Sequence, residues 1–116
     1  MKILLDECVT KKLKQHLSEF QVSTVVEMQW SGLKNGKLLS ASVDAGFDVL
    51  LTIDKNIGYQ QNVHDHDIAI VIFDTRRSKI EVLLDFVPLF KAGISKFEKR
   101  RVHLLEMIAT ESDLEH

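Results

Sequence analysis

Residues 48–54, Asp-Val-Leu-Leu-Thr-Ile-Asp, are the stretch that decides the fold class. The apolar centre is too short for a buried helix and predicts a strand over 48–53, buried on both faces. Two other stretches share this pattern, Met1–Leu5 before Asp6-Glu7 and Ile68–Phe73 before Asp74. Three apolar strands that each end in an acid predict a parallel sheet with carboxylates at the carboxyl ends of its strands.

The segments between these strands have the periodicity of amphipathic helices. Apolar residues recur at helical spacing from Val9 to Phe20, with lysines on the other face. Asn35 is predicted to cap a second helix that Gly46 stops. The spacing of Ser78 and Glu81 predicts a capping box for a third helix. Further predicted features are a strand over 21–26 and a break at Pro88 before a short helix to about Gly93. The stretch 101–107 is ambiguous between a strand and a helix, and the alternation of Val102-His103-Leu104 favours the strand.

Strands that alternate with helices predict a three-layer α/β fold with a mainly parallel sheet of four or five strands. The 116 residues favour one domain, which we assign to 1–113. Residues 114–116, Leu-Glu-His, resemble the remnant of a purification tag.

Composition narrows the functional classes. The single cysteine, Cys8, excludes an internal disulfide and favours the cytoplasm, and its side chain is expected to be small and buried rather than a nucleophile. No apolar run reaches the roughly 18 residues that span a bilayer, and the early acid Asp6 argues against a signal peptide. The net charge of -2 requires that any nucleic acid be bound by a local patch.

The strand-terminal acids are the strongest functional signal. In open parallel sheets, ligands bind beyond the carboxyl ends of the strands, where the strand order reverses. Crowded carboxylates repel unless a cation lies between them, and Mg²⁺ prefers one or two carboxylates together with a substrate phosphate. Asp6, Glu7, Asp54 and Asp74 therefore predict metal-dependent phosphodiester hydrolysis, although each acid could instead cap a helix or face solvent in a loop.

Two motifs resemble those of PIN-like domains. They are Leu4-Leu5-Asp6-Glu7 and Leu51-Thr52-Ile53-Asp54-Lys55-Asn56. The segments 27–36 and Tyr59-Gln60-Gln61-Asn62 are similar to a small bacterial branch of these proteins, which is predicted to contain toxin–antitoxin nucleases. The resemblance covers about residues 2–90.

The resemblance implies a fold, an activity and partners. It implies a three-layer nuclease that binds Mg²⁺ or Mn²⁺ and cuts single-stranded RNA, with an antitoxin protein as a further partner. The absence of a long apolar run argues separately against a membrane partner. Asp6 matches the first metal-binding acid and Asp54 the later one, while Asn56 stands where many relatives place an acid or a polar residue. The oligomeric state stays open, a homodimer included.

The chain departs from the PIN-like pattern at 34–36, where Asn35 stands in place of an acid. Glu7, Glu27 or Asp74 would have to substitute, and Asp74 can reach the metal if its strand lies beside the first. A metal-weakened PIN-like module that binds RNA or a protein is therefore the alternative to a nuclease.

Basic residues supply candidates for substrate binding. Arg76 and Arg77 follow the fourth strand and, with Asn56, are predicted to contact the substrate phosphate; alternatively, Arg76 only pairs with Asp74 at a surface turn. Residues 91–101 hold five basic side chains against Glu98, which either steer RNA or form an exposed helix end. The chain lacks a glycine-rich phosphate loop, a nucleophile elbow and a Cys-x-x-Cys pair, and a receiver domain would need a lysine that has no counterpart here.

Overall fold

The structure, a computed structural model, describes residues 1–59 and 62–107. Its strands are β1 (Lys2–Leu5), β2 (Gln21–Thr24), β3 (Val49–Thr52), β4 (Ala69–Phe73) and β5 (Val102–Leu105). Its helices are α1 (Asn35–Asp44), α2 (Ile80–Leu83) and α3 (Val87–Gly93), with 3₁₀ helices at Lys11–Leu17, Lys55–Tyr59 and Val63–Asp65. The tag prediction for 114–116 and the motif residues Gln60 and Gln61 lie outside the described ranges.

The five strands form one parallel sheet in the order β2-β1-β3-β4-β5. This confirms the predicted fold class. All three acid-terminated stretches are strands, and the ambiguous stretch near residue 102 is β5.

Alternating side chains of the strands build a hydrophobic core on each face of the sheet. Ile3 and Leu5 pack on one face with the first 3₁₀ helix, α2 and α3. Leu4 packs on the other face with α1 and the residues that follow β3. Each central strand is therefore buried on both faces, which explains its continuous apolar sequence. No helix in the described ranges is long and apolar enough to cross a membrane.

The strand order reverses between β1 and β3. The chain leaves β1 towards the first core, where Leu13 and Leu17 are buried, and leaves β3 towards the second core, where Ile57 is buried. These two exits on opposite faces open a crevice at the carboxyl ends of β1 and β3. The premise that β4 lies beside β1 is wrong, because β3 separates them.

Several local predictions are corrected by tertiary contacts. The first helix is a 3₁₀ helix that begins at Lys11, and β2 ends at Thr24 because the chain turns there through Met28 N–H to Thr24 O. The cap of α1 is Lys34 rather than Asn35. The capping box at Ser78 is absent, because Ser78 Oγ accepts the N–H of Thr10 instead.

Two predicted helix boundaries are confirmed. α3 begins at Val87, so that Pro88 lies in its first turn, where a missing N–H costs no helical hydrogen bond. Gly46 follows α1 with a φ of +85°, a conformation that stops the helix.

Candidate active site

The centre of the crevice is a hydrogen-bonded chain of Asp6, Thr52 and Asp54. The Thr52 hydroxyl is fully buried; it donates to Asp6 Oδ2 (2.8 Å) and accepts the N–H of Asp54 (3.0 Å). The backbone N–H of Asp6 donates to Leu51 O (3.0 Å), which extends the pairing of β1 with β3 to the acid itself. Asp6 and Asp54 thus follow neighbouring strands at one edge of the sheet. The sequence predicted the shared edge but not that the two strands are neighbours.

Backbone amides orient both carboxylates. Asp6 Oδ1 accepts the N–H of Glu7 (2.8 Å), and Asp54 Oδ1 accepts the N–H of Asn56 (2.9 Å). Glu7 points to a different contact, because its Oε1 accepts the N–H of Gly32 (2.8 Å) in the loop before α1. These backbone donors restrict the rotation of the carboxylates that they contact.

Cys8 lies beside the two acids. Its Sγ is 3.3 Å from Thr52 Oγ1 and donates to Asp6 Oδ2 at 3.6 Å. The expected burial of this residue is wrong, since Cys8 is exposed at the crevice. Partial burial of the sulfur nevertheless raises the pKa of the thiol, and the negative charge of Asp6 raises this pKa further. Hydrogen bonds with Thr52 and Ile53 lower the pKa but do not outweigh burial. A thiol with a raised pKa is a poor nucleophile at neutral pH.

The crevice holds a cleft of about 360 Å³. Asp6, Glu7, Cys8 and Asp54 line one side, and Lys34 and Leu38, from the start of α1, line the other. Lys34 places a positive charge at this cleft. It directly precedes α1, and the first turn of a helix favours anions.

A second depression, of about 430 Å³, lies next to the cleft on the side of β4. Asp54 lines both, and Lys55, Asn56 and Arg76 line the second one. Asn56 and Arg76 are therefore brought together as predicted. Arg77 is exposed but does not line this depression.

Asp74 lies outside the cleft that contains Asp6 and Asp54. Its carboxylate forms an ion pair with Lys55, and its N–H donates to Leu105 O (2.9 Å). Asp74 lines neither the cleft nor the second depression. Among the described residues, the ion-pair partner of Asp74 is Lys55 rather than Arg76.

A third depression, of about 640 Å³, extends from Asp6 and Glu7 towards β2. It contains Lys11, Lys14 and Glu27. Lys14 Nζ lies 2.8 Å from Glu27 Oε2, and this hydrogen bond, with one from the N–H of Thr24, lowers the pKa of Glu27. Glu27 therefore forms an ion pair with Lys14 and does not line the cleft that contains Asp54.

The basic residues that precede β5 lie at the opposite, amino end of the strands. Lys99 pairs with Asp48 (3.2 Å), Arg100 with Asp67 (3.5 Å) and Arg101 with Glu98 (3.2 Å). Their positive charges are neutralised by these nearby acids, and the residues lie at the opposite end of the strands from the crevice. Of the two interpretations of this segment, these contacts fit an exposed helix end better than a surface that steers RNA.

The carboxylates of the cleft match part of the ligand set that Mg²⁺ takes from a protein. Asp6 and Asp54 supply the one or two carboxylates that Mg²⁺ usually takes from a protein, and Asp54 Oδ2 accepts no hydrogen bond from a described residue. Within residues 1–59 and 62–107, no three His, Cys, Asp or Glu side chains form a group that could hold a metal ion. A cation here would therefore depend on water and substrate oxygens for its remaining ligands.

Comparisons with known proteins add no relative: no family model, no curated protein and no solved structure matches the chain.

Proposed function

We propose that the protein is a metal-dependent endoribonuclease of the PIN-like type and the toxin of a toxin–antitoxin pair in the cytoplasm. The observation that carries the nuclease proposal is the pairing of Asp6 and Asp54 through Thr52 at the reversal of strand order. The toxin role and the antitoxin partner rest on the sequence resemblance alone.

The shape of the carboxyl end supports an extended substrate. The cleft shares Asp6 and Glu7 with the depression on one side and Asp54 with the depression on the other. The acids therefore lie at the middle of the row, and cations at both sides, Lys11 and Arg76, can contact phosphates. A single strand laid along this row would place one phosphodiester at the acids.

Each residue has a distinct task in this proposal. Asp6 and Asp54 would hold Mg²⁺ or Mn²⁺, and such a cation would supply activation of water and neutralisation of phosphate charge. Thr52 fixes the orientation of Asp6, and Lys34 with the start of α1 attracts the phosphate. Arg76 can bind two oxygens of a neighbouring phosphate through its planar guanidinium.

Cleavage of a single-stranded RNA tests the proposal. We expect Mn²⁺-dependent cleavage by the wild type and its loss in Asp6→Asn and in Asp54→Asn. The melting temperature of Asp54→Asn should be unchanged or raised, because only Oδ1 of Asp54 accepts a hydrogen bond from a described residue and the change relieves charge repulsion. The melting temperature of Asp6→Asn should fall, because both oxygens of Asp6 accept hydrogen bonds and the asparagine NH₂ group cannot accept one. Asp85→Asn, an exposed acid outside the cleft, is the matched control and should cleave like the wild type. Equal cleavage by all four proteins would trace the activity to a contaminant and refute the assignment.

A second candidate function is favoured by the absence of a three-residue metal-binding group in the described ranges. In this proposal, the protein binds RNA or a protein partner without cutting it. Lys34 would then replace the missing acid with a cation that binds phosphate directly.

Calorimetric titration with Mn²⁺ separates the two functions, because a weakened site gives no saturable heat in the micromolar to millimolar range. RNA binding by Arg76→Ala then tests the binding surface. Loss of one phosphate contact should reduce the slope of log affinity against log salt by about 1, with Mn²⁺ affinity nearly unchanged. An unchanged slope would remove Arg76 from the RNA-binding surface.

A further inference from the structure

A shallow groove between the first 3₁₀ helix and β2 has no part in the proposed function. We call it the lysine groove, because its lining includes Lys11, Lys12 and Lys14 beside Phe20 and Val22 and contains no acidic residue. Its volume of about 690 Å³ lies within the roughly 300–1,000 Å³ that is typical of ligand sites. A concave surface lined by charges of one sign attracts ligands of the opposite charge. The lysine groove is therefore suited to an anion.

The lysines of the groove differ in whether an acid compensates their charge. Lys14 forms an ion pair with Glu27 (2.8 Å), and Glu19 is itself paired with a lysine of α3 (2.9 Å). Lys11 and Lys12 are exposed and form no ion pair within residues 1–59 and 62–107. Two positive charges of the lysine groove are thus left for a ligand.

The lysine groove is continuous with the candidate active site. Lys11 and Lys14 line both the groove and the depression that contains Asp6. That depression shares Asp6 and Glu7 with the cleft. A strand with one phosphate at the acids can therefore continue past Lys11 to Lys12, which lines the lysine groove and none of the other three depressions.

Phe20 adds an aromatic surface to the lysine groove. Its ring packs against the first core, where it lies edge to face with Phe90 at a centroid distance of 6.3 Å. Phe20 is nevertheless only partly buried and lines the groove. Proteins that bind single-stranded nucleic acids combine a cationic groove with aromatic side chains, because the cations follow the phosphates and the bases stack on the rings.

We propose that the lysine groove is a second RNA-binding subsite. Lys11 and Lys12 hold phosphates there, and Phe20 contacts a base. The inference rests on the proposed function, which brings RNA to the acids, and it extends the bound strand from the row of three depressions towards β2. The substrate is therefore a chain that reaches from the acids to Lys12, rather than a mononucleotide.

Two observations favour RNA over an acidic peptide in the lysine groove. An extended peptide would bind by pairing with the β2 edge, but Thr24 N–H donates to Glu27 Oε1 (3.0 Å) and Thr24 O accepts the N–H of Met28 (3.1 Å). None of the exposed large hydrophobic side chains in the described part of the chain lines the groove. Protein interfaces have an apolar centre that is depleted in lysine, which is the opposite composition.

RNA binding in EDTA tests the subsite without cleavage. The affinity for a labelled oligouridine of about 16 nucleotides is measured by fluorescence anisotropy over a series of salt concentrations. Lys12→Gln should reduce the slope of log affinity against log salt by about 0.7, the value for one phosphate contact of a single strand. Lys96→Gln removes the same charge from an exposed residue before β5, at the other edge of the sheet, and should keep the wild-type slope. Equal slopes in the wild type and Lys12→Gln would overturn the subsite.

Phe20→Leu tests the contact with a base, because leucine keeps an apolar side chain on the first core. Loss of stacking on the ring should weaken oligouridine binding by about 5-fold or more. Phe97→Leu, a partly buried aromatic of the same core that does not line the groove, is the matched control and should bind like the wild type. Circular dichroism confirms that both variants are folded. Wild-type affinity in folded Phe20→Leu would refute the base contact.

The outcomes separate this subsite from the nuclease proposal. A wild type that cleaves no RNA but shows the Lys12→Gln change in slope refutes the nuclease and supports the subsite. Cleavage by the wild type together with equal slopes refutes the subsite alone. Poly-L-glutamate is the probe for an acidic protein. If poly-L-glutamate binds with a dependence on Lys12 and the oligouridine does not bind, the groove accepts an acidic polypeptide and the RNA subsite is overturned.

Discussion

Thr52 determines the geometry of the candidate site, although it carries no charge. Its buried hydroxyl is the one link between the carboxylate of Asp6 and the backbone of Asp54 among the described contacts. Polar groups that orient a ligand are expected to tune metal affinity nearly as strongly as the ligands themselves.

Thr52→Val should uncouple the two acids. Valine has the shape of threonine but leaves Asp6 Oδ2 and the Asp54 N–H without this partner, at a cost of about 1–2 kcal/mol in unfolding free energy. Mn²⁺ affinity should fall by about 10–100-fold. Thr52→Ser keeps the hydroxyl and should bind Mn²⁺ like the wild type while losing some stability. Equal Mn²⁺ affinity in the valine and serine variants would rule out a positioning role.

The acids could be predicted from the sequence, whereas their partners could not. Asp6 and Asp54 each end an apolar run, and parallel strands bring such ends to one edge. The role of Thr52 depends on β1 lying beside β3, which a single sequence does not specify; the Thr-x-Asp spacing was its only signal. Asp74 looked equivalent to the other acids, yet Lys55 engages it.

Two glycines near the ends of α1 differ in backbone conformation, since Gly36 is helical and Gly46 is left-handed. Gly46 has a φ of +85° with open space where a side chain would lie, and Gly36 lies within the helix with His66 Nε2 3.9 Å from the added carbon. Backbone conformation alone therefore decides the effect of an alanine at either position.

Gly46→Ala should lower the unfolding free energy by about 1 kcal/mol, because the left-handed region penalises any Cβ. Gly36→Ala, the matched change inside α1, should raise the unfolding free energy by about 0.5 kcal/mol, since alanine restricts the unfolded chain and favours a helix. Urea denaturation followed by circular dichroism measures both effects. A stabilising Gly46→Ala would contradict the structure at the end of α1.

The elements were more predictable than their caps. Apolar periodicity located every strand and the break at Pro88, because burial on a regular element imposes it. Ser78 instead bonds the backbone of Thr10, 68 positions away in the chain. When such a distant contact replaces a helix cap, the sequence around the helix does not reveal it.

Across the whole molecule, Asp48 connects the amino ends of three segments. Its Oδ2 accepts the N–H of Lys2 (2.8 Å), its Oδ1 lies 3.2 Å from Lys99 Nζ, and its carbonyl accepts the N–H of Ala69. Burial raises the pKa of Asp48, but the contacts with Lys2 and Lys99 outweigh burial and hold the pKa below its usual value.

Asp48→Asn should reduce the unfolding free energy by about 1 kcal/mol at pH 7. A carboxyl with a lowered pKa in the folded state stabilises the fold above its unfolded pKa and loses this contribution as the pH falls through the folded pKa. The difference between wild type and variant should therefore shrink as the pH falls below about 4 and be smallest once the folded-state carboxyl is protonated. Asp44→Asn, an exposed acid with the same change in charge, should show no such pH-dependent difference. A constant difference across this range would exclude the ion pairs as its cause.

The turn after β2 limits how far the sheet can grow. At the β2 edge, Glu27 and Met28 already occupy the backbone N–H and C=O of Thr24. A sheet with two open edges can add copies without end and become a filament, whereas a sheet with one blocked edge cannot be extended in that direction. The carboxylate of Glu27 thereby protects the chain against edge-to-edge aggregation through β2.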